Sequence, residues 1–182
     1  MITIMRNEII TFLVSQASNR FTLEKESNLF RQGDTVRSLF VIERGLIELT
    51  RHQLDGRPVV LQRAAAHMVV AEASLYSSTY HCDAIVCLEA DIASISKSTV
   101  ERLMRVDEKF SNMWSEYLAR EVQSARSLIE ILSRKTVSER LDGWLAWRDN
   151  ESVTKGQWKN VAAQIGVSPE ALYRELAKRR LK

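Results

Sequence analysis

Cysteine is nearly absent: Cys82 and Cys87 are the only two in 182 residues. Five positions apart on one extended segment, they lie roughly 16 Å from each other and face opposite sides of the strand. A disulfide spans far less than that, so the pair reads as reduced interior thiols of a reducing compartment. Histidine is equally sparse. His52, His67 and His81 are the only three, and no HExxH, GxSxG or glycine-rich phosphate loop accompanies them. Glu72 near His81 makes an acid/base pair without a nucleophile. No catalytic residue, no metal ligand set and no cofactor is expected, and the cysteine cluster of an iron–sulfur centre is missing.

Long apolar runs are lacking too. None approaches the roughly 18 uncharged residues of a membrane helix. Arg6, Asn7 and Glu8 fall where a secretory signal keeps its apolar core. A cytoplasmic protein without a membrane partner is expected. Neither sign of charge dominates, the net being +3. Its distribution is uneven, however: from Arg134 onward 11 Lys and Arg stand against 6 Asp and Glu, whereas the preceding chain has 15 against 17. A basic C-terminal piece suits contact with phosphates.

What remains is ordinary globular composition, 45% hydrophobic and 27% charged, enough for one large or two small domains. Residues 1–17 show the apolar pattern of a packing helix through Ile9, Ile10, Phe12, Leu13 and Val14. From Phe21 to about Ser96, short runs rich in Val, Ile, Leu and Thr are broken by turn signals at Gln32-Gly33-Asp34, Arg44-Gly45 and Asp55-Gly56. The last of these suits a two-residue hairpin, whose central residues both take positive φ. It separates runs at 46–54 and 59–62. A compact antiparallel β-domain follows from this pattern, interrupted by a short helical pattern, AEASLY, at 71–76.

A long helix is predicted over 110–132. Apolar or small residues recur at Trp114, Leu118, Glu121 or Val122, Ala125, Leu128 or Ile129, and Leu132. Steps of three and four make a coiled-coil-like seam. The expected parallel homodimer pairs through Trp114, Leu118, Val122, Ala125, Leu128 and Leu132, while packing on the β-domain is the other use for such a face. Thr136 and Glu139 then form a capping box, which leaves Arg134 and Lys135 as a hinge, and Thr154 with Gln157 repeats the pattern.

The stretch from Trp158 to Lys182 reads as two helices with a sharp turn between them. Val161 and Ile165 share one face, Ala162 leaves room for a crossing helix, and Gly166 supplies the turn. Ser168 caps the second helix with Pro169 at its first position. Leu172 and Leu176 point back; Glu170, Arg174 and Lys178 point away. A basic end, Lys178, Arg179, Arg180 and Lys182, favours a DNA-reading helix-turn-helix over an unspecialised amphipathic pair.

In this order of parts the sequence resembles the Crp/Fnr family of bacterial transcription regulators over nearly its whole length. The resemblance rests on the turn RQGD at 31–34, the strand break at Gly45, the segments AEASLY and TVSERL, and the run QIGVSPEALYREL. It implies an α+β chain: an N-terminal double-stranded β-helix (a cyclic-nucleotide-binding-like β-roll) with its leading helix over 1–109, a dimerisation helix over 110–134, and a helix-turn-helix domain over 135–182. By that resemblance Glu170 and Arg174 read base edges and Ser168 holds the phosphate backbone, with Pro169, Tyr173, Lys178, Arg179 and Arg180 completing the DNA-binding set. Pro169 stands where the best-known members carry arginine. The chain ends at Lys182 without the β-hairpin wing of many relatives. Glu175 occupies a position that the family keeps apolar, so a looser or rotated recognition helix is expected.

The pocket departs further. Relatives that bind cyclic nucleotides resemble one another in a Gly-Glu start to the short helix and an Arg-Ser/Thr pair on the cyclic phosphate. Here Ala71-Glu72 keeps the carboxylate, and Cys82-Asp83 replaces the cationic pair. An Asp beside an anionic phosphate is repulsive, so no cAMP binding is expected. Glu72, Ser74, Tyr80, His81, Cys82 and Asp83 are the candidate effector residues. Either they take another small molecule or a metal or haem, or they are a hydrogen-bonded loop around a buried histidine. The expected partners are double-stranded DNA, a second copy of the chain and RNA polymerase. The competing reading is a ligand-sensing or interaction module whose C-terminal helices contact a protein.

Overall fold

A computed structural model describes the backbone of residues 2–53, 56, 58–148, 153 and 156–180, and the side chains of these from residue 8 to residue 179. Asp55, Thr154 and the side chains of Arg180 and Lys182 lie outside the described residues. The chain divides into two compact units, residues 1–117 and 118–182, each with its own core.

The first unit opens with helix α1 (Ile2–Ser15), followed by strands β1 (Asn19–Leu23), β2 (Asn28–Phe30), β3 (Ser38–His52), β4 (Pro58–Ala65) and β5 (Met68–Val70). A short 3₁₀ turn (Glu72–Ser74) leads to β6 (Asp83–Ser96), then to α2 (Lys97–Val106) and the long α3 (Glu108–Ser133). Every strand pairing is antiparallel, in the order β1-β6-β3-β4, with β2 also on β6 and β5 also on β3. The central pair β3 and β6 carries the roll. Ile42, Ile47, Leu49, Val86 and Ile92 face one core with Phe30, Phe40 and Tyr80. This is the β-roll and helical architecture expected from the sequence.

Three register shifts between β3 and β6 cluster at residues 42–47, around Gly45. Its φ of +100° lies in the left-handed region that L side chains avoid. A Cβ there would stand 2.3 Å from the carbonyl oxygen of Glu89 and 2.6 Å from the Cα of Ala90. Two backbones therefore touch where a side chain would otherwise separate them. Arg44 fastens the same bend from outside, its Nε donating to Asp91 Oδ2 at 2.6 Å and its Nη2 to Glu89 Oε1 at 2.7 Å.

The α3 segment within this unit turns its rings inward. Phe110, Trp114 and Tyr117 are buried, with centroid separations of 6.2 Å and 5.6 Å along the helix and 5.4 Å from Phe110 to Phe12 of α1. Trp114 therefore departs from the expected dimer seam: at 1% exposure it belongs to its own unit's core. The reason is the aromatic surface offered by Phe12 and the neighbouring turns of α3, which takes the indole out of water without a partner chain.

In the second unit, Ile131 of α3 packs with Leu141 and Trp144 of α4 (Val137–Trp147), Val161 and Ala162 of α5 (Trp158–Gln164), Ile165, and Leu172 of α6 (Pro169–Arg180). The capping box at the start of α4 is complete: Thr136 Oγ1 accepts from the Glu139 amide at 3.2 Å, and Glu139 Oε2 accepts from the Thr136 amide at 2.9 Å. Farther along α3, Val122 and Ile129 stand 49% and 65% exposed and Leu132 37%, whereas Leu128 is half-buried.

Substituting Gly45→Ala is expected to cost about 2–5 kcal/mol, from left-handed strain and backbone collision together. Urea unfolding of the full chain measures it.

Candidate nucleic-acid interface and effector pocket

Turn and helix are assembled by short-range chemistry first. Gly166 has φ +65°, and a Cβ added there would meet Leu132 Cδ2 at 3.1 Å and Arg140 Nη1 at 3.4 Å. The same arginine donates to the carbonyls of Ile165 at 3.1 Å, Gly166 at 3.2 Å and, through Nε, Arg134 at 2.9 Å. These are helix-end carbonyls with no partner in their own helix. Ser168 Oγ accepts from the Ala171 amide at 3.2 Å, which places Pro169 at the first position of α6. Trp144 Nε1 donates to Gln164 Oε1 at 2.7 Å and closes α4 onto α5.

Leu172 is buried with Leu176 beside it, so the residues four apart on the far side form an open row: Glu170, Arg174 and Lys178, with Tyr173 at 43% exposure next to it. Glu170 is held ionised, its carboxyl pulled below the usual range by its own backbone amide, the Ser168 hydroxyl and the charge of Lys159. The row combines an acceptor, a fork of donors and a point cation.

Arg179 departs from its expected role as a phosphate ligand. Its Nη1 donates to Asp142 Oδ1 at 2.6 Å, Nε to Glu175 Oε1 at 3.0 Å, and Nη2 to both the carbonyl and the hydroxyl of Ser138, at 3.1 and 3.0 Å. A guanidinium with its donors engaged by α4 and α6 is a tie between helices. Glu175 likewise does the opposite of what was expected. Instead of loosening the helix, its carboxylate is largely covered and orients Arg179 toward α4.

In the first unit a cavity of about 80 Å³ is lined by Phe30, Leu49, Leu61, Gln62, Ala71, Glu72, Ala73, Ser74, His81 and Cys82. Four of the six expected effector residues meet there. Ser74 Oγ and His81 Nδ1 are 2.8 Å apart, which fixes the imidazole against the 3₁₀ turn. Burial, then the charge of Arg51, lowers the His81 pKa, so the ring is neutral at neutral pH. Burial raises the Cys82 pKa, with Asp83 and Glu72 adding to it against Arg51, so the thiol keeps its proton. Ala71 takes φ +76°, the left-handed conformation that favours glycine.

Tyr80 and Asp83 do not line this cavity. The Tyr80 hydroxyl donates to the Ser38 carbonyl at 2.9 Å and its ring stacks on Phe30 at 3.9 Å, so it is core. Asp83 Oδ1 accepts from the Gln32 amide at 2.8 Å, holding the RQGD turn, and Oδ2 lies 3.5 Å from His52 Nδ1. Leu61 and Gln62 were missed by sequence reasoning. Between Leu49 paired with Gln62 and Thr50 paired with Val60, Leu61 is the extra residue of a β-bulge. Such a bulge re-aims a side chain, and nothing local in the sequence announces it.

Removing the Arg179 side chain leaves the half-buried Glu175 and Ser138 without its donors and is expected to cost the C-terminal unit about 1 kcal/mol. Glu175 has its carboxyl held below its ordinary 4.5 by the Ser138 hydroxyl and then Arg179. Its stabilisation is therefore complete above pH 4.5 and disappears as pH falls through the lowered value. Thermal unfolding between about pH 7 and 3 should show this acid loss shrinking in Arg179→Ala.

The model of the cyclic nucleotide-binding domain family matches residues 20–107. The anaerobic regulatory protein of Bacillus subtilis is 29% identical over 92 residues, a stretch that is 50% of this chain and 39% of that relative. FixK2 of Bradyrhizobium japonicum superposes with a TM-score of 0.73 at 16% identity, covering 90% of this chain and 84% of the other. TTHB099, a CRP-family transcriptional regulator of Thermus thermophilus, gives 0.62 at 19%, covering 89% and 84%. By name, the Bacillus and Thermus proteins are regulators. Residues 20–107 thus match the cyclic nucleotide-binding domain family, in a chain with the fold of FixK2 and of the CRP-family regulator TTHB099.

Proposed function

We propose that the chain is a homodimeric, sequence-specific DNA-binding transcription regulator whose β-unit senses something other than cAMP. One observation carries this reading: the open row Glu170, Arg174 and Lys178 on a helix tied to α4 by Arg179, after a turn held by Arg140. Laid in a major groove, such a row places Arg174 to donate both arms of its fork to guanine O6 and N7, and Glu170 to accept from the cytosine amino group. Lys178, Ser168 and the exposed Lys159 then hold phosphates and set the register. Arg180 stays in the proposed set at the basic end. RNA polymerase remains the expected protein partner.

Dimerisation is supported by the outward stripe of α3. Leu118, Val122, Ala125, Ile129 and Leu132 follow steps of four, three, four and three, which is the spacing of a two-stranded seam. Ile129 takes the place that the sequence pattern shared with Leu128. A two-fold pair of recognition helices fits a pseudo-palindromic site.

Against cAMP stands the lining of the cavity. It holds the carboxylate of Glu72 and no lysine or arginine among the described residues. A cyclic phosphate there would lose its water and gain no cation from these lining residues. The reading in which the C-terminal helices contact a protein instead of DNA predicts duplex affinity that is weak and indifferent to salt.

Arg174→Ala is expected to lose about 1–3 kcal/mol on the preferred duplex and to relax base preference, whereas Lys178→Ala weakens all duplexes alike and flattens the salt dependence by about one ion per protomer. Titrations of specific and random duplexes at several salt concentrations separate the two. An equal loss on both duplexes for Arg174→Ala removes its base-reading role. In sedimentation, Ile129→Asp is expected to shift the dimer to monomer, since it puts a charge at a seam position.

A further inference from the structure

Strand register fixes where the polar groups of the β-unit cavity stand. Leu49 of β3 pairs with Gln62 of β4 on one side and with Ala84 of β6 on the other. Cross-strand partners share a face of the sheet, and Leu49 belongs to the core, so Gln62 is carried on the inner face. The backbones of β4 and β6 lie roughly 10 Å apart across β3. Ser74 of the 3₁₀ turn and His81, just before β6, supply the polar lining on the other side of Leu49. Phe30, Leu49, Leu61, Ala71 and Ala73 make the rest apolar.

No lining group offers a ligand an unspent charge. Among the described residues the lining contains no lysine or arginine, and nearby Arg51 gives its Nε and Nη2 to the His81 carbonyl at 3.1 and 2.8 Å. Glu72 is already engaged within the protein. Burial, then the charge of Arg51, keeps His81 uncharged at neutral pH, and burial keeps the Cys82 thiol protonated. An anion would find no cation here, and an ammonium would compete for a carboxylate in use. Desolvating either ion without a counter-charge is costly.

What is left over is hydrogen-bonding capacity. Ser74 Oγ occupies His81 Nδ1 at 2.8 Å, and among the described residues nothing engages Nε2 or the Gln62 side chain. A primary amide both donates and accepts, while the second ring nitrogen does one or the other, according to the direction of the Ser74 bond. A ligand head that itself donates and accepts matches them in either case. Size sets the rest of the ligand. At about 80 Å³, and with roughly 10–15 Å³ of such space per water-sized group, the cavity takes about five to eight non-hydrogen atoms. Leu61, the extra residue of the β4 bulge, lines it while 43% exposed, which puts an apolar side chain at the opening.

We infer that this cavity binds a compact neutral amphiphile, a short-chain alcohol or primary amide whose head is held by Gln62 and His81 and whose carbon chain lies against Phe30, Leu49 and Leu61. The inference rests on the sensor reading above and deepens it by naming the class of effector.

The test uses the full chain and no DNA, so its failure leaves the DNA-binding reading untouched. Methyl NMR and calorimetry are run with butyramide and 1-butanol, with n-butylammonium and butyrate as charged molecules of similar bulk, and with cAMP. Saturable shifts at the Leu49, Leu61 and Ala73 methyls are expected with butyramide and butanol. Butylammonium and butyrate should bind more than about tenfold weaker, and cAMP not at all. Gln62→Leu keeps the bulk and removes the amide; it should weaken butyramide about tenfold, the loss of one hydrogen bond. Leu61→Trp fills the opening and should abolish both neutral responses. Either ion binding as tightly as butyramide, saturable cAMP binding, no saturable response to the neutral probes, or indifference of butyramide to both substitutions would overturn the proposal. Where a variant fails to fold, the charge series on the unmodified chain decides.

Discussion

The orientation of α6 depends on a guanidinium spent on hydrogen bonds within the C-terminal unit. Arg179 joins Asp142 and Ser138 of α4 to Glu175 of its own helix, and through them sets the rotation of α6. That rotation decides which residues look outward. Had Glu175 been apolar, α6 would have been held by packing that tolerates a few degrees of roll; directed hydrogen bonds of fixed length tolerate less. Arg140 performs the same service for the turn, by tying Ile165 and Gly166 carbonyls to the end of α3. The cost is electrostatic: two cations of a basic unit are spent on internal hydrogen bonds, while Arg174, Lys178 and Lys159 stay exposed.

This explains what was legible in the sequence and what was not. Capping signals are local, three residues apart, so Thr136 with Glu139 and Ser168 with its following amides were readable directly, as was the glycine of the turn. The fold followed from periodicity and turn chemistry for the same reason. Arg179 was misread because its partner Asp142 stands 37 positions away. A basic run at a chain's end looks alike whether it meets solvent, phosphate or carboxylate. Tyr80 and Asp83 failed similarly: both lie in a polar cluster, but their hydrogen bonds go to backbone groups of Ser38 and Gln32, 42 and 51 residues earlier. Composition placed the pocket on the right segment and could not say which side chains faced into it.

The helical seam shows a subtler limit. A period between about 3.5 and 3.6 residues leaves adjacent positions such as Leu128 and Ile129 nearly equivalent on paper. Only burial distinguishes them, and it puts Ile131 into the C-terminal core, so Ile129 is left outward. Trp114 was ambiguous for the same reason, and the rings of Phe12, Phe110 and Tyr117 resolved it inward.

The β-unit has the backbone fold of its structural relatives, and its own residues line the cavity inside it. Ala71 still takes the left-handed conformation that suits glycine, at a strain of about 1 kcal/mol, so the approach to Glu72 is preserved even without the residue that makes it easy. Gly45 still lets β3 touch β6. The Ser74–His81 bond belongs to the same frame: it fixes a neutral imidazole against the 3₁₀ turn, at the wall of a space too small for a nucleotide.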